Sequence, residues 1–393
     1  MKKTMAILLM LIMLMTVCGC TAQPSATTTP TQATEAPAPD YTASEADISQ
    51  LEKLYEGRQA YHGELHDHAN TGGTSDGKMN LEDWKLNLLV KDMDFATIAD
   101  HRQVLHMRLP EWDNAIFIGG TEACTWIKDS KAEQNKLHYN MIFAYPEDLE
   151  AVLREFPTSF SLYGDHFSYF EFTTKQFEEI VQYITDNDGF FVHVHPKGKS
   201  YMVSDDPLDY YFGENTGIEV LCGYYGNMTA EVNQDALKLW IDLLALGKHV
   251  YATSGSDSHN ASNTVSLTTI YARQANATTY LSQVKQGDFT AGPIGVRMTI
   301  GDTCMGGETD FQGKRLVISV GDFHSMECAP GHTYRIDLYS DRGLVTSQEI
   351  PGTGTSYIAL DADDSVKFYR VEVYNVTAQY QVAIGNPIWN MDN

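Results

Sequence analysis

Apolar and polar residues alternate along this chain in two different ways, and the change falls near residue 293. Before it, short apolar runs are separated by stretches in which apolar residues recur every three or four positions. The runs at 61–66, 95–99 (FATIA), 115–119 (AIFIG), 137–144 (LHYNMIFA), 189–195 (GFFVHVH), 217–221 (GIEVL) and 249–253 predict strands. The spacing of Leu81, Trp84 and Leu88 predicts a helix over Leu81–Val90, and similar spacing predicts helices over 173–185, 230–246 and 278–286. Residues 43–59 read as a short polar helix leading into the first strand. Strands separated by helices predict a mostly parallel α/β architecture. Beyond 293 the runs turn short and two-periodic, at 297–300, 316–320, 333–339, 344–349, 368–374 and 381–384, with a hairpin turn at Ser340-Asp341-Arg342-Gly343. That texture predicts a small, separate β-sandwich-like domain over 294–393 that contributes no metal ligand.

The first 45 residues follow neither pattern. Lys2 and Lys3 precede an apolar run at 5–17 that is too short for a comfortable membrane span, so 1–20 reads as a signal peptide. It ends in Val17-Cys18-Gly19-Cys20, which resembles a bacterial lipobox with Cys20 as the lipidated residue. Residues 21–45, rich in Thr, Ala and Pro, have too few large apolar residues to bury a core and read as a disordered tether. These features predict an extracytoplasmic protein held to the cell membrane through Cys20, with a globular part from residue 46 onward.

Charge narrows the partners. The 393 residues carry a formal charge of −25 at pH 7, which opposes extended contact with nucleic-acid phosphates. Cysteine narrows the metal chemistry. Cys124, Cys222, Cys304 and Cys328 show no zinc-finger spacing, and a Cys304–Cys328 disulfide and buried free thiols both fit the sequence.

The chemistry gathers where the apolar runs stop. The first strand leads into His66 and His68; with period two they face the same way, as a pair of metal ligands should. Asp76 follows in a Ser-Asp-Gly turn. Later runs stop at Asp100-His101, at Glu122, at His195 before Pro196, and at Asp257 and His259; another carries His138. In α/β barrels functional residues collect where strands pass into helices. Six histidines and three carboxylates without a thiolate suit Zn, Mn or Fe. So many donors can hold more than one metal, with Glu122 as a bridging carboxylate. Such a centre activates water for hydrolysis.

Taken in order, HDH at 66–68, SDG at 75–77, ADH at 99–101, GTE at 120–122, HYN at 138–140, HVHP at 193–196 and GSDSH at 255–259 resemble the motifs of the polymerase and histidinol phosphatase (PHP) family of metal-dependent phosphoesterases. The resemblance covers about residues 61–292. It implies a distorted (β/α)7 TIM-like barrel over 46–293 with two or three divalent metals at its mouth. The implied ligands are His66, His68, Asp76, His101, Glu122, His138, His195, Asp257 and His259. The loop from His68 to Asp76 is longer than the pattern, and His193 is an additional histidine that reads equally well as a core residue. The following β-domain and the ending AIGNPI at 383–388 are similar to the CehA/McbA branch.

Asp257 and His259 are the candidate proton carriers, and Asp100 is a candidate partner orienting a ligating histidine. Arg102, Lys197 and Lys199 follow ligand motifs and could meet a phosphate, so a phosphate ester (a small phosphoester, a nucleotide or a nucleic-acid end) is the expected substrate, with Arg102 as a catalytic cation. The aromatic stretch 156–172 is a candidate lid, and Tyr224 and Tyr225 are candidate rim residues. A neutral ester, amide or carbamate is the alternative substrate, and a non-catalytic metal-binding lipoprotein is the alternative from another class.

Overall fold

The computed structural model describes residues 41–156, 170–263 and 265–391. The expected signal peptide with Cys20, and most of the expected tether and of the aromatic stretch, lie outside the described residues. The described part from Tyr41 onward forms one compact unit.

Seven strands pass around the site: β1 (Gln59–Asp67), β2 (Phe95–Ile98), β3 (Phe117–Ile127), β4 (Lys136–Phe143), β6 (Phe190–Val194), β7 (Thr216–Cys222) and β8 (Val250–Gly255), with a short β5 (Phe170–Phe172) paired to β3. Neighbours follow that order. The pairs β1–β2, β2–β3, β6–β7 and β7–β8 are parallel, whereas β3–β4 and β4–β6 are antiparallel. Past the end of β8 the chain returns to the C-terminal end of β1, where Asp67 and Ser258 form an isolated bridge. Asp257 N–H donates to His66 O at 2.8 Å and His68 N–H donates to Ser258 O at 2.9 Å.

Helices α1 (Glu45–Leu54), α2 (Leu81–Val90), α3 (Pro146–Glu155), α4 (Thr174–Asp186), α5 (Glu231–Ala245) and α6 (Ala277–Lys285) pack apolar faces on the strands. α2 begins at a reciprocal cap, Asn80 with Asp83, and buries Leu81, Trp84 and Leu88. α3 is absent from the sequence-based expectation, although Pro146 at its start and acids in its first turn are the usual signals for a helix beginning.

The fold is therefore mixed α/β and sheet-rich. It departs from the expected (β/α)7 barrel in three ways: two antiparallel pairings, no continuous β8–β1 ladder, and a sheet that does not stop at seven strands. β9 (Thr268–Ala272) pairs with β1, and β10 (Phe289–Ala291) pairs with β9. Neither strand is apparent from the sequence pattern, because their threonines look solvent-facing. Thr268, Thr269 and Thr290 are in fact buried and hydrogen-bonded, as in the bond from Thr269 Oγ1 to Gly292 O at 2.8 Å.

The C-terminal part contains β11 (Ile294–Ile300), β12 (Thr303–Cys304), β13 (Glu308–Thr309), β14 (Arg315–Phe323), β15 (Thr333–Ser340), β16 (Gly343–Pro351), β17 (Ser356–Asp361), β18 (Phe368–Asn375) and β19 (Tyr380–Asn390). The order β12-β11-β14-β17 makes a four-stranded sheet of its own. The other long strands do not: β16-β15-β18-β19 joins β10 and so extends the sheet of the site. This region has its own apolar cluster around Val296, Ile318, Ile336 and Val371, yet Phe368, Ile384 and Trp389 belong to the cluster of the first seven strands. Cys304 and Cys328 are free thiols, as are Cys124 and Cys222.

Candidate metal centre

Strand ends and strand pairing place most of the donors. β3 continues four residues past Ile118 to Glu122 because β4 replaces β2 as its partner: Ile98 pairs with Gly119, and from there β4 takes over. Glu122 thus lies within a strand, where a strand end was expected, but just beyond the reach of β2. His138 lies near the start of β4, whose antiparallel course brings that end to the same place. Arg102, His195 and Asp257 have φ of 52°, 31° and 49°, a region unfavourable for residues with a Cβ. Each is pinned by its backbone N–H: Arg102 to Glu122 O at 3.0 Å, His195 to Glu219 Oε2 at 2.8 Å, Asp257 to His66 O at 2.8 Å. Glu64 holds the loop before Asp257, accepting from Ser256 N–H at 2.7 Å and from its hydroxyl at 2.6 Å.

All nine sequence-predicted donors come together. They form three groups whose donor atoms lie within 4.8 Å of one another: His68, Asp76, His101 and His259; His66, His68, Glu122 and Asp257; and Glu122, His138 and His195. Glu122 stands between them. Its Oε1 is 2.6 Å from His138 Nδ1 and 3.1 Å from His195 Nε2. Its Oε2 is 3.2 Å from both His68 Nε2 and His101 Nδ1. Asp257 Oδ1 is 3.2 Å from His68 Nε2. Asp76, half exposed on its long loop, closes the outer group at 3.2 Å from His259 Nε2 and 3.4 Å from His101 Nε2.

Outer partners fix which ring nitrogen faces inward. His66 Nδ1 lies 3.0 Å from Glu219 Oε1, an N–H donor against a carboxylate, which leaves Nε2 as the inward lone pair. His259 Nδ1 lies 3.2 Å from Asp257 O and leaves its Nε2 facing Asp76. Buried nitrogens of the site lack hydrogen-bond partners: His66 Nε2, both ring nitrogens of His68, and His195 Nδ1. Unpartnered buried nitrogens are rare in folded proteins. Here they converge with carboxylates in a nitrogen and oxygen set without sulfur, which suits divalent Zn, Mn or Fe.

Charge in the cluster is unusual without a cation. Burial opposes ionisation of Glu122, but His138, His101 and His195 around it hold its carboxyl well below the usual range. Burial likewise disfavours charge on His68, but Asp257 and Glu122 push it up to about 10. His66 is raised against its burial by Glu219 and Asp257, while burial pushes His138 down to about 4. At neutral pH the metal-free cluster therefore stores protons on His66 and His68. The raised value on His68 stabilises the metal-free fold fully below its unfolded value, and that contribution is lost as pH rises through about 10. A metal must displace these protons. Calorimetric titration in buffers of different ionisation enthalpy should show proton release on binding at pH 7, and affinity should rise with pH. Release of no proton would contradict this charge state.

Seven of the nine donors, all but the buried His66 and His68, line an open cavity of about 870 Å³, whose walls include Lys78, Lys199, Tyr201, Tyr224, Tyr225 and Asn260. Asp257 and His259 are among the seven. The other expected cations are elsewhere. Arg102 is 6 % exposed and does not line the cavity; its positive φ sends the chain back toward β3. Lys197 lines a neighbouring cavity, with Nζ 3.9 Å from the centre of the Tyr210 ring. Asp100 does not orient a ligating histidine. It accepts from Ala69 N–H at 2.7 Å and from the Thr71 hydroxyl, bracing the loop between His68 and Asp76. His193 joins no donor group; it packs by Tyr210 and Phe212, and burial pushes it down to about 3.

Sequence reasoning missed Glu219, Tyr201 and Lys78. For Glu219 a signal existed: a lone carboxylate inside the apolar run GIEVL. Tyr224 and Tyr225 are rim residues as expected, on a loop fixed by buried Asn233, which accepts from Cys222 N–H and donates to the carbonyls of Cys222, Gly226 and Asn227.

Fold and site together define a mixed α/β protein with a candidate multinuclear metal centre. No protein-family model matches the chain, and no curated protein matches it. Among solved structures, the chain is similar to Endonuclease Q in complex with a 27-mer duplex substrate bearing an abasic lesion at the active site, with 12 % identity, TM-score 0.40, and coverage of 58 % of this chain and 57 % of that one. It is also similar to the novel lesion-specific endonuclease PfuEndoQ from Pyrococcus furiosus, with 12 % identity, TM-score 0.39, and coverage of 58 % and 56 %. The chain thus spans little more than half the length of either neighbour, and neither likeness bears on what it acts upon.

Proposed function

We propose that this chain is a metal-dependent hydrolase of the PHP type that cleaves a phosphate ester of a small molecule. One observation carries the reading: Glu122 is shared, one oxygen each way, between donor groups built from nine side chains, seven of which line one cavity. His66, His68, Asp76, His101, Glu122, His138, His195, Asp257 and His259 would hold two or three divalent ions. Bound there, the ions would lower the pKa of water toward neutrality and offset negative charge on the substrate. The chain itself supplies the rest. Glu219 sets the tautomer of His66. Asp257 and His259, both on the cavity wall, are placed to hold or pass a proton. Lys78 and Lys199 are cations of the wall suited to an anionic substrate in a chain otherwise strongly acidic.

The tyrosines favour a second reading. Tyr201, Tyr224 and Tyr225 give the cavity an aromatic side that suits a neutral carboxylic ester, amide or carbamate, as in the CehA/McbA branch. The deciding experiment is a panel of p-nitrophenyl phosphate, bis-p-nitrophenyl phosphate and p-nitrophenyl esters and carbamates, with Mn or Zn and after chelation. Turnover of phosphates abolished by chelation is the expected result. Turnover confined to esters and carbamates would select the second reading. Tight metal binding without turnover of any would leave a metal-binding lipoprotein. The lipobox further supports an extracytoplasmic location with the membrane as a partner through Cys20; Cys20→Ser should release the protein from the membrane fraction.

A further inference from the structure

The segment that follows β6, residues 196–204, crosses the cavity wall as a strap, and it carries Tyr201. The ring centre of Tyr201 is 4.6 Å from that of His138 and 4.6 Å from that of His195. These are the two histidines that close on Glu122 Oε1. His66 and His259 each have one ring nitrogen held by an outer polar partner, Glu219 Oε1 and Asp257 O. His195 Nδ1 has no hydrogen-bond partner, and His138 spends its Nδ1 on Glu122 itself. Packing against Tyr201 stands where an outer hydrogen bond would.

The strap is itself braced. Tyr201 N–H donates to Gly198 O at 3.1 Å, and Gly198 N–H donates to His195 O at 2.9 Å. Glu133 N–H donates to Val203 O at 2.9 Å and Val203 N–H donates to Gln134 O at 3.1 Å, tying the strap to the β3–β4 connection. The Tyr210 hydroxyl bonds to Met202 O and Ser204 N–H, each at 3.0 Å. Lys136 Nζ stands 5.1 Å from the Tyr201 ring centre. Gly198 leaves room for the ring: a Cβ there would meet Tyr201 Cδ2 at 2.6 Å, Tyr201 Cε2 at 2.8 Å and Tyr225 Oη at 2.5 Å.

We propose that Tyr201 is a positioning residue for the third donor group, orienting His138 and His195 so that they and Glu122 bind a metal ion with full affinity. The inference rests on the reading of the cluster as a metal centre. It concerns one position of that centre and not the other two, because neither His66 nor His259 packs on Tyr201.

The test is titration of the purified, metal-free chain with Co²⁺, read by visible absorption and by metal stoichiometry. Tyr201→Ala should weaken one bound equivalent by roughly ten- to a hundredfold, the usual cost of losing an outer partner of a ligand, and leave the others unchanged. Tyr201→Phe keeps the ring and should behave as wild type. Gly198→Ala, which displaces the ring without removing it, should weaken the same equivalent and decides the matter if Tyr201→Ala does not fold. Wild-type binding of every equivalent by both Tyr201→Ala and Gly198→Ala would overturn the proposal, as would an equal loss of all equivalents. A wild-type chain that binds no cobalt would sink the metal-centre reading, and this inference with it. Failure of the inference alone shows as a wild type that binds and variants that match it.

Discussion

Glu122→Gln should empty most of the centre. The substitution keeps size but replaces one acceptor oxygen with an NH2 donor and removes the charge that both sides of the cluster share. His138 and His195 lose their carboxylate partner, and His68 and His101 keep only Asp257 and Asp76 nearby. Bound metal should fall to one ion or none. If the ions contribute several kcal/mol to the barrier, hydrolysis should drop roughly a thousandfold. The metal-free protein should also suffer. Glu122 is held well below its ordinary range by the surrounding imidazoles, so its ionised form stabilises the fold above the unfolded carboxyl pKa, and that contribution disappears only as pH falls through the folded value. At pH 7 the metal-free variant should therefore melt below wild type, and below about pH 4 the difference should narrow. Thermal melts at the two pH values, with metal analysis, check this. Unchanged stoichiometry would mean that Glu122 does not bridge the groups.

That these nine side chains converge was legible from sequence, because candidate ligands are a restricted choice of side chain and most of them follow or end an apolar run. His66 and His68 announce themselves by period two, and Asp257 and His259 by a turn after an apolar run. Substrate cations were not legible, because adjacency in sequence does not fix direction in space. Arg102 directly follows His101, yet its left-handed backbone carries it into the interior, and Lys197 turns to Tyr210 in the next cavity. Lys78 reaches the wall because its N–H is tied to His259 O at 2.8 Å, a contact between segments far apart in sequence. Tyr201 was invisible for a related reason: nothing local marks a tyrosine that packs on two imidazoles.

The fold shows the same division. Strands with apolar runs were evident, whereas β9 and β10 were hidden by buried threonines whose hydroxyls find partners only in the assembled sheet. Those two strands decide whether the C-terminal part is a removable module. Read from the pattern alone, residues 294–393 could be deleted without loss of metal. The structure changes that expectation.

A chain ending at residue 292 should not fold cooperatively. Deletion removes β19, the partner of β10, leaving an open edge two strands from β1 and its histidines. It also takes out Asn386, buried against the seven-strand region. Asn386 Oδ1 accepts from Ala252 N–H of β8 at 2.8 Å, and its Nδ2 donates to Phe289 O at 3.3 Å. Without it a buried N–H loses its partner, at about 1–3 kcal/mol. Phe368, Ile384 and Trp389 leave the apolar cluster they share with Phe190, Tyr251 and Phe289. Burial of a large apolar side chain contributes about 1.5–3 kcal/mol, so three such losses and an orphaned N–H approach the whole stability of an ordinary domain, about 5–15 kcal/mol. At the other end α1 would lose the bidentate pairing of Glu52 with Arg297, at 2.9 and 2.7 Å. Circular dichroism melts of 41–292 against 41–393 decide the point. A cooperative transition in the shorter chain, with full metal content, would restore the picture of two separable domains. Asn386→Leu in the full chain isolates one contribution: it should lower the melting temperature while leaving metal stoichiometry intact, because Asn386 bonds to the middle of β8 and to β10, not to the loop that carries Asp257 and His259.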